Sequence, residues 1–405
     1  MDSKPIARRV LILTSSTGSG HDARAYAMRD WFQKLYGEAV DVKVEHFLEN
    51  ASSTGNFGVD FYNFIQRYAP FVHYIYWFII EIVGQLARWN ILVGKKYFEG
   101  LIRDFKPHLI ISVHDFLNLG YFELARKILG KDHVKCVTYC GEFSGGFGFS
   151  INWVNSSSDW YISRTAMAQK FALKLGAPKE RSSVYLGLFA PRVHEDRLQE
   201  DGKKDYRQNE LGLDREKFTV FLTTGGNGAN NHLPLLNVLY KYKKSVQAVV
   251  VCGRSQSTFQ RVSKWKQEHS DFELFLEGHS SRVRQLIQAS DIVIAKGGRN
   301  TAAKCLFLGT PIIFNRLNGM MPQEKVTVKF FKKNNATRIF SSIKQFDRLI
   351  EAWKDKGSDY QALLKNFRDL KEAEPTPEAF FGKLMSFANE AANEAKSRVY
   401  FHNFS

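Results

Sequence analysis

The sequence predicts an α/β protein with two parallel sheets, one in each half of the chain, each covered on both faces. Three observations carry this. Short, nearly continuous apolar runs alternate with amphipathic stretches of helix length. Glycine-rich loops follow several of those runs in both halves. At 405 residues the chain exceeds what one hydrophobic core usually holds, so two domains of about 150 to 200 residues are expected.

In the first half the apolar runs are VLILT (10–14), VDVKVEHF (40–47), HLIISVHD (108–115), VKCVTYC (134–140), DWYISR (159–164) and SVYLG (183–187). Helices are predicted over about 22–36, from about Leu119, and up to about Leu175. In the second half the runs are FTVFLTTGGNG (218–228), VQAVVVCG (246–253), FELFLEG (272–278), DIVIAKGG (291–298) and TPIIFN (310–315), with helices through the 230s and near 257–268, 281–289 and 300–308. Both series are Rossmann-like, and two such domains in tandem are expected to face each other across a cleft. Domain boundaries follow from composition: 1–188 and 215–375 form the two domains. The charged stretch within 189–214 forms a linker or exposed helix, and an amphipathic helix over 376–405 packs back on the first domain.

The chain carries 57 Lys and Arg against 41 Asp and Glu, a formal charge of +16, which favours anionic partners. No helix-turn-helix, zinc-finger or RNP-like pattern accompanies that charge, so nucleic acid is not the expected partner. The four cysteines, Cys136, Cys140, Cys252 and Cys305, lie in or beside apolar runs without C-x-x-C spacing and read as reduced core thiols of a cytosolic protein. The N-terminus runs straight into a strand without a secretory h-region. The stretch FVHYIYWFIIEIVGQLA (71–87) is too short and too interrupted to span a bilayer. Its aromatics, flanked by Arg67, Arg88, Lys95 and Lys96, suit an interfacial helix or a buried helix pair.

Ligands of such sheets bind where strands end and helix N-termini begin. Three loops qualify: Thr17-Gly-Ser-Gly-His21, Thr223-Thr-Gly-Gly-Asn-Gly228 and Lys296-Gly-Gly-Arg-Asn-Thr301. None is a Walker A loop, and the first lacks the third glycine of the dinucleotide fingerprint. His21 stands at a helix N-terminus, where the positive end of the dipole favours a neutral imidazole that can act as general base or simply cap the turn. No H-E-x-x-H, no Cys/His cluster in sequence and no D-x-D points to a metal, so phosphate charge would be met by Lys, Arg and backbone N–H groups. No G-x-S-x-G elbow is present either.

These motifs resemble the monogalactosyldiacylglycerol synthases and processive diacylglycerol glucosyltransferases. They are more distantly similar to the enzyme that adds N-acetylglucosamine to lipid-linked muramoyl-pentapeptide. The resemblance implies a GT-B fold and runs from about residue 9 to about residue 340. Thr17, Gly18, Gly20 and His21 match the family's T-G-x-G-H acceptor loop. VDFYNFIQRYAPFVHYIYW (59–77), with Tyr62, Pro70, Phe71, Tyr74 and Trp77, resembles its acceptor and membrane segment, and KPHLIISVH (106–114) resembles its K-P-D-x-I-I-S-x-H strand. On the donor side the matches are Gly225, Gly226 and Asn227, then Gly278 and His279 in FLEGHS. Lys296, Gly297, Gly298, Asn300 and Thr301 follow in AKGGRNTAAKCLFLGTPIIF (295–314), and finally Gln323 and Glu324, the pair implied to touch the donor sugar.

Two positions depart from the family's pattern. Lys304 stands where a glutamate suited to the ribose diol is implied, and losing a charged-group hydrogen bond costs about 1.5–3 kcal/mol. Tyr139 stands where an aspartate, a candidate base, is implied, which leaves His21 as the base and Glu142 as its nearest carboxylate partner. The resemblance implies an inverting, metal-independent glycosyltransferase without a cofactor, moving a hexose from a UDP-sugar to a lipid such as diacylglycerol. It would lie peripherally on an anionic membrane surface at the cytoplasmic face. A polyprenyl or soluble acceptor, and a diverged nucleotide-sugar-binding protein without transfer, are the alternatives.

Overall fold

The computed structural model describes residues 7–17, 19–51, 73–89, 91–195, 198–223, 231–317, 319–371 and 373–402. The chain divides into two compact units, Met1–His194 with Ala373–Ser405, and Glu195–Glu372. Each unit is built on a six-stranded parallel sheet.

In the first unit the strands are β1 (Arg8–Thr14), β2 (Val40–His46), β3 (Leu109–Ser112), β4 (Lys135–Cys140), β5 (Trp160–Ser163) and β6 (Ser182–Val184), in spatial order β2-β1-β3-β4-β5-β6. Successive residues of one strand serve opposite faces. Val10 and Ile12 pack with Leu109, Ile111 and Val137, while Leu11 and Leu13 pack with Ile110 and Cys136. Both faces are covered, which is why these strands read as unbroken apolar runs rather than as alternation. The Pro377–His402 helix seals the first of these faces with Phe380, Phe381, Leu384 and Ala388, and Phe380 stacks on Tyr185 at 3.9 Å. All four cysteines are buried thiols outside any disulfide.

The run over 183–187 yields only a three-residue strand. Beyond Val184, the backbone N–H groups of Leu186 and Gly187 donate to the Glu374 carboxylate, at 2.5 and 3.1 Å. A side chain from the returning C-terminal segment thus takes the place of a ladder.

In the second unit β7 (Phe218–Thr223), β8 (Val246–Val251), β9 (Leu274–Glu277), β10 (Ile292–Ala295), β11 (Ile312–Asn315) and β12 (Ile339–Phe340) stand in the order β12-β11-β10-β7-β8-β9. The stretch expected as a linker or exposed helix over 189–214 contains two helices, Pro191–Glu195 and Glu200–Leu211. The second belongs to the second unit and is anchored rather than solvated. Arg207 is buried, donates through Nε to Ala289 O at 2.5 Å, and pairs with Asp291 at 3.1 Å. Its polar composition hides one buried cation with a half-buried partner.

A candidate active site at the switch points of the two sheets

In open parallel sheets the ligand crevice lies at the carboxyl ends of the two neighbouring strands from which the chain departs in opposite directions. That pair is β1 and β3 in the first unit, and β7 and β10 in the second. The loops selected from sequence follow β1, β7 and β10 in the chain, three of the four strands that flank these crevices.

The loop after β1 leads into the Ser19–Tyr36 helix, whose first turn carries His21. His21 is buried, and its Nδ1 lies 2.8 Å from Val113 O, just beyond β3. Nδ1 faces two groups of opposite demand, this carbonyl, which only accepts, and the Arg24 guanidinium, which only donates; the carbonyl is the nearer and Arg24 can donate to it instead, so Nδ1 is assigned the proton and Nε2 the lone pair. Arg24, one turn along the helix and also buried, donates from Nη2 to the same carbonyl at 3.2 Å and stands 2.9 Å from Nδ1. Gly141 leaves room for that guanidinium, since a Cβ there would lie 2.8 Å from Arg24 Nη1.

His114 packs against His21 with ring centroids 4.4 Å apart. It takes the opposite tautomer. The Phe116 N–H donates to Nδ1 at 3.1 Å, so Nε2 carries the proton and donates to Thr17 Oγ1 at 2.8 Å. On the other side the Trp153 indole stacks on His21, at 6.1 Å and 13°, and donates from Nε1 to Glu142 at 3.2 Å. Glu142 is thus joined to the site through Trp153. Tyr139 is fully buried and donates from its hydroxyl to Tyr185 O at 2.9 Å, a structural contact. Burial pushes that phenol above its ordinary range.

His21, His114 and Asp115 place one ligand atom each within 4.8 Å of one another, a grouping that the sequence reading, which found no metal set, did not anticipate. The donor set suits a hydrogen-bonded histidine pair better than an ion. Both ring nitrogens of His114 are engaged, and a cationic Arg24 borders His21.

The loop after β1 is poorly suited to phosphate. Glu49 accepts from the Ser16 N–H at 2.5 Å, and Asp22, in the first helical turn, accepts from Thr14 Oγ1 at 3.1 Å and Ser16 Oγ at 2.8 Å. Two carboxylates already answer the donors that a phosphate would seek. In the second unit the field is reversed. The loop after β10 carries Lys296 and opens the Arg299–Leu308 helix, whose first turn has no acidic residue and bears Arg299, Asn300 and Thr301, with Lys304 beyond. Lys296 Nζ donates to Gly319 O at 3.3 Å, and Gly298 is exposed at the helix N-cap. Gly297 is required by close approach, because a Cβ would meet Glu324 Cβ at 2.7 Å and Glu324 O at 2.9 Å.

Glu324 is buried and accepts through Oε2 from the Met321 N–H at 2.9 Å, closing the first turn of the Pro322–Lys333 helix. Burial raises its carboxyl above the usual range, and Lys296 acts in the opposite sense. Gln323 beside it is half-buried; Gly278 is half-buried and His279 exposed after β9. Gly18, Tyr62, Pro70, Phe71, Gly225, Gly226 and Asn227 lie outside the described residues, as does the Tyr74 side chain.

Trp77 belongs to the His73–Gln85 helix and lies 5.2 Å from Phe147. That helix exposes Ile75 (66%), Phe78 (61%), Ile79 (51%) and Ile82 (51%), the i, i+3, i+4, i+7 spacing of one face. Phe147 and Ile91 are exposed as well. Among the described residues no helix is long and apolar enough to cross a membrane.

Residues 219–373 match the glycosyltransferase family 28 C-terminal domain. The chain is 25% identical to monogalactosyldiacylglycerol synthase of Spinacia oleracea over 91% of its length. This chain is a glycosyltransferase with the GT-B fold, similar to the monogalactosyldiacylglycerol synthases. Monogalactosyldiacylglycerol synthase 1 of Arabidopsis thaliana is likewise 25% identical, over 85% of the chain. The chain spans 70% of the spinach relative's length and 64% of the Arabidopsis one's. MurG of Acinetobacter baumannii has the same fold, at a TM-score of 0.58 and 13% identity, with 94% of this chain and 99% of that one covered.

The sequence reading named His21 but missed its setting. Arg24 is one turn after His21, and His114 directly follows β3, the other strand of the switch point. Both signals were available. Trp153, brought in by a loop, had none.

Proposed function

We propose that this glycosyltransferase moves a hexose from a UDP-sugar to a lipid acceptor such as diacylglycerol, inverting the anomeric centre, while lying peripherally on the cytoplasmic face of a membrane. The observation that carries the reading is His21. It is held at the switch point of the first sheet with Nδ1 bound to Val113 O and its lone pair on Nε2.

His21 Nε2 takes the proton of the acceptor hydroxyl as that oxygen attacks the anomeric carbon and the bond to the diphosphate breaks. Val113 O holds the ring through the step, and the Asp115 carboxylate stands close enough to meet the imidazolium charge. The leaving UDP is received by backbone N–H groups and cations of the 225–228 and 296–301 loops, the second of which opens an acid-free helix N-terminus. His279 and the Gln323–Glu324 pair contribute on the sugar side, Glu324 by shaping the turn that presents Gln323. The lipid acceptor is supported by the names of the curated relatives, and membrane seating by the exposed face of the His73–Gln85 helix. That face and the +16 charge suit an anionic surface.

The test is a melting-temperature panel with nucleoside diphosphates and UDP-sugars. A ligand at 100 times its Kd stabilises the folded state by about 2.7 kcal/mol. UDP and a UDP-sugar should raise Tm where adenine nucleotides do not. No response to any nucleotide would favour a diverged, non-transferring protein, the reading that Lys304 and Tyr139 motivate.

A further inference from the structure

The His73–Gln85 helix turns its other face to the site. Glu81 is buried on that face and accepts through Oε2 from the Ile151 N–H at 3.0 Å. One turn further on, Gly84 leaves the space that the Asn152 side chain fills, a Cβ there lying 2.3 Å from Asn152 Nδ2, and Gln85 donates to Asn152 Oδ1 at 2.5 Å. Asn152 O in turn accepts from Asn118, which also donates to His114 O at 2.9 Å. The next residue is Trp153, the indole stacked on His21 and bonded to Glu142. A single turn, Ile151–Trp153, therefore joins the apolar-faced helix to both histidines.

We propose that Glu81 is a positioning residue for the transfer reaction, holding the Ile151–Trp153 turn so that the Trp153 ring fixes His21 and Glu142 in place. The claim rests on the transferase reading above. The charges that face Glu81 are acidic: Asp115 from the turn after β3 and Glu142 from the loop after β4, with the Ser150 hydroxyl and Ile151 N–H as its hydrogen-bond donors. Burial, then Asp115, pushes its carboxyl up to about 7 from 4.5. Because the folded-state value lies above the unfolded one, ionising Glu81 costs the folded protein nothing below about 4.5. The cost grows as pH rises and is complete above about 7. The bonds from Ser150 and Ile151 themselves favour the carboxylate, so what rising pH disturbs is the packing around the turn, where a buried charge is set against Asp115 and Glu142.

The experiment is a kcat–pH profile, from about pH 6 to 8.5, for wild type, Glu81→Gln and Glu81→Leu, each checked for native circular dichroism and Tm. Glu81→Gln keeps an acceptor for Ile151 N–H and cannot ionise, so its kcat should stay level where wild type declines above pH 7. Glu81→Leu removes the acceptor and should lower kcat by about ten- to a hundredfold, with the donor KM unchanged because the donor loops belong to the second unit. Superimposed profiles for wild type and Glu81→Gln, or wild-type kcat in folded Glu81→Leu, would overturn the proposal.

Should wild type transfer nothing, the transferase reading fails, and Glu81 is judged by Trp153 emission, taken as the difference from Trp153→Phe. That emission should change with a midpoint near pH 7 in wild type and stay constant in Glu81→Gln. Identical behaviour in the two would overturn the role.

Discussion

At the scale of single residues, the site is two histidines in opposite tautomers, and each tautomer is dictated by one backbone group. Val113 O, nearer to His21 Nδ1 than the Arg24 guanidinium is, assigns the proton there, and Phe116 N–H takes the lone pair of His114 Nδ1. The consequence is a basic nitrogen on His21 whose position is set by main-chain geometry. The sequence expectation sets Glu142 beside the base, and in the structure Glu142 accepts from the indole that packs on His21. A second residue-scale claim concerns Gly297. A methyl there collides with backbone and Cβ of Glu324, so Gly297→Ala should cost about 1–3 kcal/mol by overpacking, read as a lower midpoint in urea. It should also weaken UDP binding, measured by calorimetry, because Lys296 and Gly298 are displaced with it. Wild-type stability and affinity in that variant would remove the close approach from the account.

At the scale of elements, the strands were legible and the site's supports were not. β1, β3, β4, β7, β8 and β10 are buried on both faces, which writes them into the sequence as apolar runs. β6 was predicted too long because Glu374, almost two hundred positions away, supplies acceptors that no local pattern records. The Glu200–Leu211 helix reads in sequence as a linker or exposed helix because its polar composition conceals the pairing of buried Arg207 with Asp291. The Ile151–Trp153 turn, which gathers the first unit's site, has no periodicity to read at all.

The His73–Gln85 helix was legible as apolar, but its two faces were not: one packs on that turn and the other faces solvent. Replacing Phe78 and Ile79 together by Ser should leave Tm nearly unchanged, because both are more than half exposed. Cosedimentation with anionic vesicles should fall by about tenfold or more, at about 25 cal/mol for each Å² of apolar surface withheld from the lipid. Unaltered cosedimentation would assign the face another role.

At the scale of the whole molecule, the proposed function has the two units divide the chemistry by electrostatics. The loop after β1 in the first unit is answered by Glu49 and Asp22 and suits an uncharged hydroxyl acceptor. The loop after β10 in the second unit is bordered by Lys296 and Arg299 without an acidic residue in the helical turn that follows, and suits a diphosphate. The family match lies in the second unit, while the relatives with diacylglycerol in their names align across most of the chain. Fold and loop order were legible because strands and glycines sit at fixed topological positions. The acceptor-side chemistry was only partly so, since Arg24, His114 and Trp153 act through contacts that the sequence does not announce.

The measurement that tests this division most directly is transfer of radiolabelled hexose from a UDP-sugar into diacylglycerol-containing anionic vesicles, by wild-type protein and by folded His21→Ala. The account predicts lipid-soluble product from wild type and a rate lower by about 10²–10⁴ in the variant, with UDP binding intact. Transfer at the wild-type rate by His21→Ala would contradict it.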